Sequence, residues 1–80
     1  MNDKRFSRVT DIEFALPESG HVQLLVYDAL GKVVSVLMDR EQGAGRYAMT
    51  WEAGVLPSGL YLYRLKAGAF IQVRQMMLVK

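Results

Sequence analysis

One stretch of the sequence joins a turn directly to a strand and decides the fold: Leu56-Pro57-Ser58-Gly59-Leu60-Tyr61-Leu62-Tyr63-Arg64-Leu65. Pro57 fixes a backbone angle suited to the first corner of a turn, and Gly59 can adopt the positive φ that closes it. From there the chain alternates, with Tyr61, Tyr63 and Leu65 on one face and the charged Arg64 and Lys66 on the other. This period of two predicts a half-buried strand.

The same alternation recurs along the chain. It predicts strands at residues 10–16, 21–28, 32–38, 46–51, 59–67 and 70–79, with a hydrophilic loop at residues 39–45. The strand at 21–28 carries apolar residues on both faces, which is typical of the middle of a sheet. Asp28 and Gly31 bound a turn, so the following strand should return antiparallel. The last strand has two competing apolar phases, and we expect a bulge or burial on both faces there.

These patterns predict an all-β fold, an antiparallel immunoglobulin-like or fibronectin III-like β-sandwich of six or seven short strands. Residues 1–9 are polar and irregular, and we interpret them as a flexible lead-in or linker remnant. Residues 10–80 then form the domain. A tyrosine near the start of a strand, after a Leu-Pro-x-Gly turn, also resembles the tyrosine corner of immunoglobulin-like sandwiches, with Tyr61 as the corner residue bonded to backbone upstream.

Composition narrows the classes of function. Ten Lys and Arg stand against eight Asp and Glu, scattered along the chain, so no basic stripe indicates a nucleic-acid partner. No apolar run reaches the roughly 18 residues of a transmembrane segment. The N-terminus lacks the apolar core of a signal peptide. The chain has no cysteine, and its carboxylates lack calcium-loop spacing, so we expect no metal and no cofactor.

Enzyme activity is not expected. There is no Cys nucleophile, no Gly-x-Ser-x-Gly motif and no phosphate-binding loop, and His21, the single histidine, lies beside a turn glycine as a surface residue would. Trp51, Tyr47, Tyr61 and Tyr63 allow a different interpretation, an aromatic sugar-binding platform. Their strand parity favours a structural role in the core, chiefly for Tyr61, Tyr63 and Trp51.

Four segments in one order carry a family resemblance: residues 22–34, 44–51, 56–65 and 74–80, the last ending in Met76-Met77-Leu78-Val79-Lys80. Their order and spacing resemble the type A C-terminal sorting domain of the type IX (Por) secretion system. That domain is similar in turn to the immunoglobulin-like domain of flagellar hook-capping proteins. The resemblance runs from about residue 12 to residue 80.

The resemblance implies a non-catalytic sorting module behind a larger cargo protein, often a hydrolase, of a Bacteroidetes-type bacterium. It implies export through the outer-membrane translocon, attachment by a surface sortase, and a secreted or cell-surface location. Gly59 and Tyr61 match the central Gly-x-Tyr motif of the family. The tail of Met76, Met77, Leu78, Val79 and Lys80 matches the apolar ending with a terminal lysine. Residues 5–9 depart from the family, because they replace its opening Pro-Asn-Pro-Phe-like motif.

Two alternatives to sorting remain open at this point. The first is a carbohydrate-binding accessory module of a secreted polysaccharide-degrading enzyme. The second is a structural module like that of the hook-capping protein. A small sandwich also has open sheet edges, which permit weak self-association or pairing with a partner strand, and we expect the terminal strand to be the element recognised.

Overall fold

The computed structural model describes residues 3–80, and for residues 3, 4 and 6 it describes the backbone alone. The regular structure of this part of the chain is entirely β: β1 Asp3–Phe6, β2 Val9–Leu16, β3 Gly20–Asp28, β4 Val33–Gln42, β5 Gly45–Glu52, β6 Gly59–Ala67 and β7 Phe70–Leu78. The predicted all-β class is confirmed. Within these residues no helix is long and apolar enough to cross a membrane.

The strands form two sheets that face each other as a small sandwich. The larger sheet has the order β1-β7-β6-β3-β4, and the smaller one consists of β2 and β5. Neighbouring strands are antiparallel except β1, which runs parallel to β7. The antiparallel return after the 28–31 turn is therefore confirmed.

Side-chain alternation places the core between the two sheets. In β2, Thr10, Ile12, Phe14 and Leu16 point inward and the residues between them are exposed. Val22, Leu24 and Val26 of β3 face them and are fully buried. The prediction that β3 lies inside a sheet is confirmed, because β4 and β6 pair with its two edges.

Two segments differ from the prediction. Residues 3–6 form β1, although residues 1–9 were predicted to be a loose lead-in. The reason is that β1 pairs through its backbone with residues 75–78 of β7, and backbone pairing needs no apolar alternation. The predicted hydrophilic loop at 39–45 is also wrong, since β4 continues to Gln42. As an edge strand, β4 can carry exposed charged residues such as Asp39 and Arg40.

Strand β7 shows a third difference, which concerns which of its two alternating sets of apolar side chains is buried. Its pairing with β6 is regular from Phe70 to Leu78, so the expected bulge is absent from it. Met76 and Leu78 are fully buried, whereas Ile71 and Val73 on the opposite face are more than half exposed. No third layer covers that face within residues 3–80, which is why the second apolar phase is left open. The register irregularities occur instead between β3 and β4.

Candidate functional site

Two of the motifs that carry the family resemblance, Gly-x-Tyr and the tail, lie side by side on adjacent strands. Gly59 pairs with Leu78, and Tyr61 pairs with Met76, in the antiparallel ladder of β6 and β7. The backbone N–H of Lys80 donates a hydrogen bond to Ser58 Oγ at 3.1 Å, which ties the end of the tail to the turn before β6. The two motifs, on consecutive strands of one hairpin, therefore form one structural unit.

Tyr61 closes the turn that precedes its own strand. Its hydroxyl donates a hydrogen bond to the carbonyl oxygen of Pro57 at 2.7 Å, the bond to upstream backbone that the sequence predicted. The ring is buried and contacts Trp51 edge to face, with 5.6 Å between ring centroids and an interplanar angle of 62°. Gly59 has a φ of 153°, a backbone conformation that residues other than glycine rarely adopt.

Sequence reasoning missed a second copy of this arrangement at the start of β5. The Tyr47 hydroxyl donates to the carbonyl oxygen of Gly43, four residues upstream, and Gly45 has a φ of 147°. The signal was present, because Gly45-Arg46-Tyr47 and Gly59-Leu60-Tyr61 are both Gly-x-Tyr. Tyr47 is half-buried and stacks on Phe14 at a centroid distance of 5.5 Å, so this copy lies closer to the surface.

The five residues of the tail separate into two groups. Met76 and Leu78 are fully buried in the core, and Met77 points to the other side of the sheet and is half-buried. Val79 and Lys80 follow the end of β7 and are exposed. Only this second group, with part of Met77, is accessible to another molecule without opening the sandwich.

Lys80 borders an open cleft at this end of the molecule. Its Nζ donates to the carbonyl oxygen of Gly54 at 3.2 Å. The cleft has a volume of about 730 Å³ and is lined by Ser7, Arg8, Glu52, Gly54, Val55 and Lys80. Side chains of both charges therefore surround the exposed end of the tail, an arrangement suited to polar contacts with a protein surface.

The terminal strand is not the open edge that the sequence suggested. Strand β7 lies between β6 and β1. Because β1 pairs only with residues 75–78, the part of β7 from Phe70 to Arg74 has one neighbouring strand in the described chain. Any pairing with a partner strand at this position is limited to that half.

Comparisons of the chain with protein-family models, with curated proteins and with solved structures give no match. The functional argument therefore depends on the residues and their geometry.

Tyr63 is half-buried on the inner face of β6, next to Arg74 of β7. Burial raises the pKa of its phenol above the ordinary value, although the charge of Arg74 and a hydrogen bond with it act in the opposite direction. Burial dominates because an ionised phenolate would lose more hydration than the guanidinium restores. Tyr63 thus packs against the core, as parity predicted.

The structure places the other candidate residues either in the core or at the surface. Trp51 is only 3% exposed, so in this structure its ring has no open face for a sugar. His21 lies at the surface, where its Nε2 is 2.6 Å from Asp39 Oδ1. Among the described residues, no group of three or more His, Asp or Glu side chains could hold a metal ion.

Proposed function

We propose that this chain is a non-catalytic C-terminal sorting module that directs a fused cargo protein through the outer membrane by type IX secretion and to the cell surface. The observation that carries the proposal is the pairing of the Gly59-Leu60-Tyr61 strand with the strand that ends in residues 76–80. Two of the four segments that carry the resemblance thus form one unit, as parts of a single recognition element would.

Within this proposal the motif residues have different tasks. Gly59, Tyr61, Met76 and Leu78 hold the sandwich together. Val79 and Lys80 are exposed, and Lys80 lines the charged cleft. The translocon and the surface sortase would therefore contact the folded end of the domain rather than an extended tail. The cargo would precede β1 in the chain.

Export of a reporter tests the proposal. A reporter with a signal peptide ahead and this domain at its C-terminus is produced in a Bacteroidetes host with and without a working type IX translocon. We expect the reporter in the medium or on the cell surface only when the translocon works. Retention in the periplasm of both strains would refute sorting by residues 1–80.

Point variants make this experiment specific for the tail. Deleting residues 76–80 would also remove Met76 and Leu78 from the core, so loss of export would not separate recognition from folding. Lys80→Glu together with Val79→Asp changes exposed side chains only. Ala48→Asp, on the exposed face of β5, is the matched control. We expect the tail variant to lower export and the control to leave it unchanged.

A further inference from the structure

The outer face of the five-stranded sheet, meaning the face turned away from β2 and β5, is apolar and open. Val36 on β4 and Ile71 and Val73 on β7 are exposed there, Leu62 on β6 is half-buried, and Leu25 of β3, which pairs with Val36, is buried. Val36, Ile71 and Val73 are 59%, 56% and 53% exposed. Exposed apolar side chains gathered on one face of a small domain mark an interaction site more often than a random surface does.

Arg64 lies in the middle of this outer face. In the strand register it stands between Leu25 of β3 and Val73 of β7. Its Nη2 donates to Gln23 Oε1 at 3.1 Å, and its guanidinium carbon is 5.8 Å from the centroid of the Tyr27 ring. The guanidinium is therefore held against the sheet in a defined orientation by two residues of β3.

The hydrogen-bonding capacity of Arg64 is far from used. A guanidinium has five N–H donors. In the described residues one of them bonds to Gln23, and Nε is buried without a hydrogen-bond partner, so the Nη groups alone can serve a docking molecule. An oriented guanidinium on an apolar surface is the group that best receives a carboxylate through two parallel hydrogen bonds.

Charge along the chain supports the same partner chemistry. Residues 53–80 contain the cations Arg64, Lys66, Arg74 and Lys80 and no Asp or Glu. Strand β6 therefore brings Arg64 and Lys66 to the outer face with no carboxylate of its own, whereas Arg74 of β7 lies opposite Tyr63 on the inner face. Asp39 lies opposite Gln23 in the β3–β4 register and is already bonded to His21.

We propose that the outer face docks a segment of a partner protein whose apolar side chains surround a carboxylate, and that this carboxylate binds Arg64. The inference rests on the proposed function and deepens it, because it names a surface that the export machinery would read. This surface is distinct from the buried part of the tail, since Arg64 and Val73 lie on the face opposite to Met76 and Leu78.

Two other occupants fit this face less well. Binding to an anionic membrane typically uses clusters of about 4–8 Lys or Arg. The described cations of the outer face are only Arg5 on β1 and Arg64 and Lys66 on β6.

A second copy docking through the same face would bring two Arg64 side chains toward each other. A second copy docking through its smaller sheet would offer the carboxylate of Asp11, which already accepts a hydrogen bond from Thr50.

The reporter described above tests the docking surface. Arg64→Glu reverses the central charge, Arg64→Met removes it, and Val73→Asp places a carboxylate among the apolar residues. Arg46→Glu is the matched control, because Arg46 is exposed on the smaller sheet. We expect export to fall at least about tenfold for Arg64→Glu and Val73→Asp, to fall for Arg64→Met, and to stay unchanged for the control.

Folding and function are separated by two further readouts. The thermal unfolding midpoint of each purified domain shows whether it is folded, and Val73→Asp should keep its fold because Val73 is more than half exposed. If the unaltered domain is exported but Arg64→Glu and Val73→Asp are exported equally well, the docking inference is wrong and the sorting function stands. If the unaltered domain is not exported, the sorting function itself fails.

Cross-linking identifies the chemistry of the occupant. A photoreactive amino acid replaces Val73 during export, and the cross-linked material is analysed by mass spectrometry. We expect a peptide of a partner protein with Asp or Glu among apolar residues. A cross-link to lipid, or to a second copy of the domain, would overturn the proposal.

Discussion

The hydroxyl of Tyr61 donates a 2.7 Å hydrogen bond to the carbonyl oxygen of Pro57, and this bond closes the turn from which strand β6 begins. Because β6 pairs with both β3 and β7, the orientation of its first residues sets the register of the centre of the sheet. The bond also fixes the edge of the Tyr61 ring against Trp51. One side chain thus links the turn, the sheet and the core.

Tyr61→Phe tests this link. Removing the hydroxyl leaves the Pro57 carbonyl without its donor, so we expect the free energy of unfolding to fall by about 1 kcal/mol. For a domain of this size that is a decrease of about 4–8 °C in the unfolding midpoint. Tyr47→Phe is the comparison, and its cost should be smaller because water can replace the exposed bond to Gly43. Equal midpoints for Tyr61→Phe and the unaltered domain would contradict the role of the bond.

Gly59 provides a test of backbone strain. A Cβ at this position would meet no heavy atom within 4 Å, so a substitution is strained only by the φ of 153°. We expect Gly59→Ala to destabilise the domain by about 1–3 kcal/mol. Gly20→Ala is the control, since its Cβ would also lie in open space and no positive φ is required there. The control should be neutral or slightly stabilising. Similar losses in both variants would disprove the argument.

Because burial alternates along the tail, alanine substitutions there should lower the free energy of unfolding by alternately large and small amounts. Met76→Ala and Leu78→Ala each remove a fully buried side chain, and we expect losses of about 2–5 kcal/mol in chemical denaturation. Met77→Ala and Val79→Ala remove side chains that are only partly buried or are exposed, and they should cost clearly less. A uniform cost along residues 76–79 would mean that β7 does not keep its present register.

Tyr63 predicts a dependence of stability on alkaline pH. Its pKa is raised in the folded protein by burial, so its contribution to stability is fully present below the unfolded value near 10 and is lost as the pH rises through the folded value. Tyr63→Phe removes this titration. The difference in unfolding free energy between the two proteins should therefore change with pH above about 10 and stay constant below it. A constant difference at all pH values would show that burial does not shift this phenol.

The core strands could be predicted from the sequence because their side chains alternate. The bounds of β6, Gly59–Ala67, agree with the prediction, and β2 and β3 each begin one residue earlier than expected. Alternation is informative there because one face meets the core and the other meets water, as Ile12 and Glu13 illustrate. Tyr61 was likewise predictable, because the turn chemistry before it is local.

The edges of the larger sheet could not be predicted in this way. Strand β1 has polar residues such as Lys4 and Arg5 and is held by backbone bonds to β7, which leave no side-chain signal. The second half of β4, including Arg40, is polar because an edge strand faces water. Arg64 illustrates the same limit at the candidate site. Its bonding to Gln23 depends on strand order, and strand order is a long-range property that periodicity does not encode.

The parallel pairing of β1 with β7 has a mechanical consequence. Asp3 and Leu78 lie at opposite ends of this strand pair, because parallel strands point the same way. Opposed tension applied to Asp3 and to Lys80 along the strands would slide the two strands along each other. All the hydrogen bonds between residues 3–6 and 75–78 would then bear the load together instead of opening one after another. The domain is built to resist being pulled apart along the axis of its own chain.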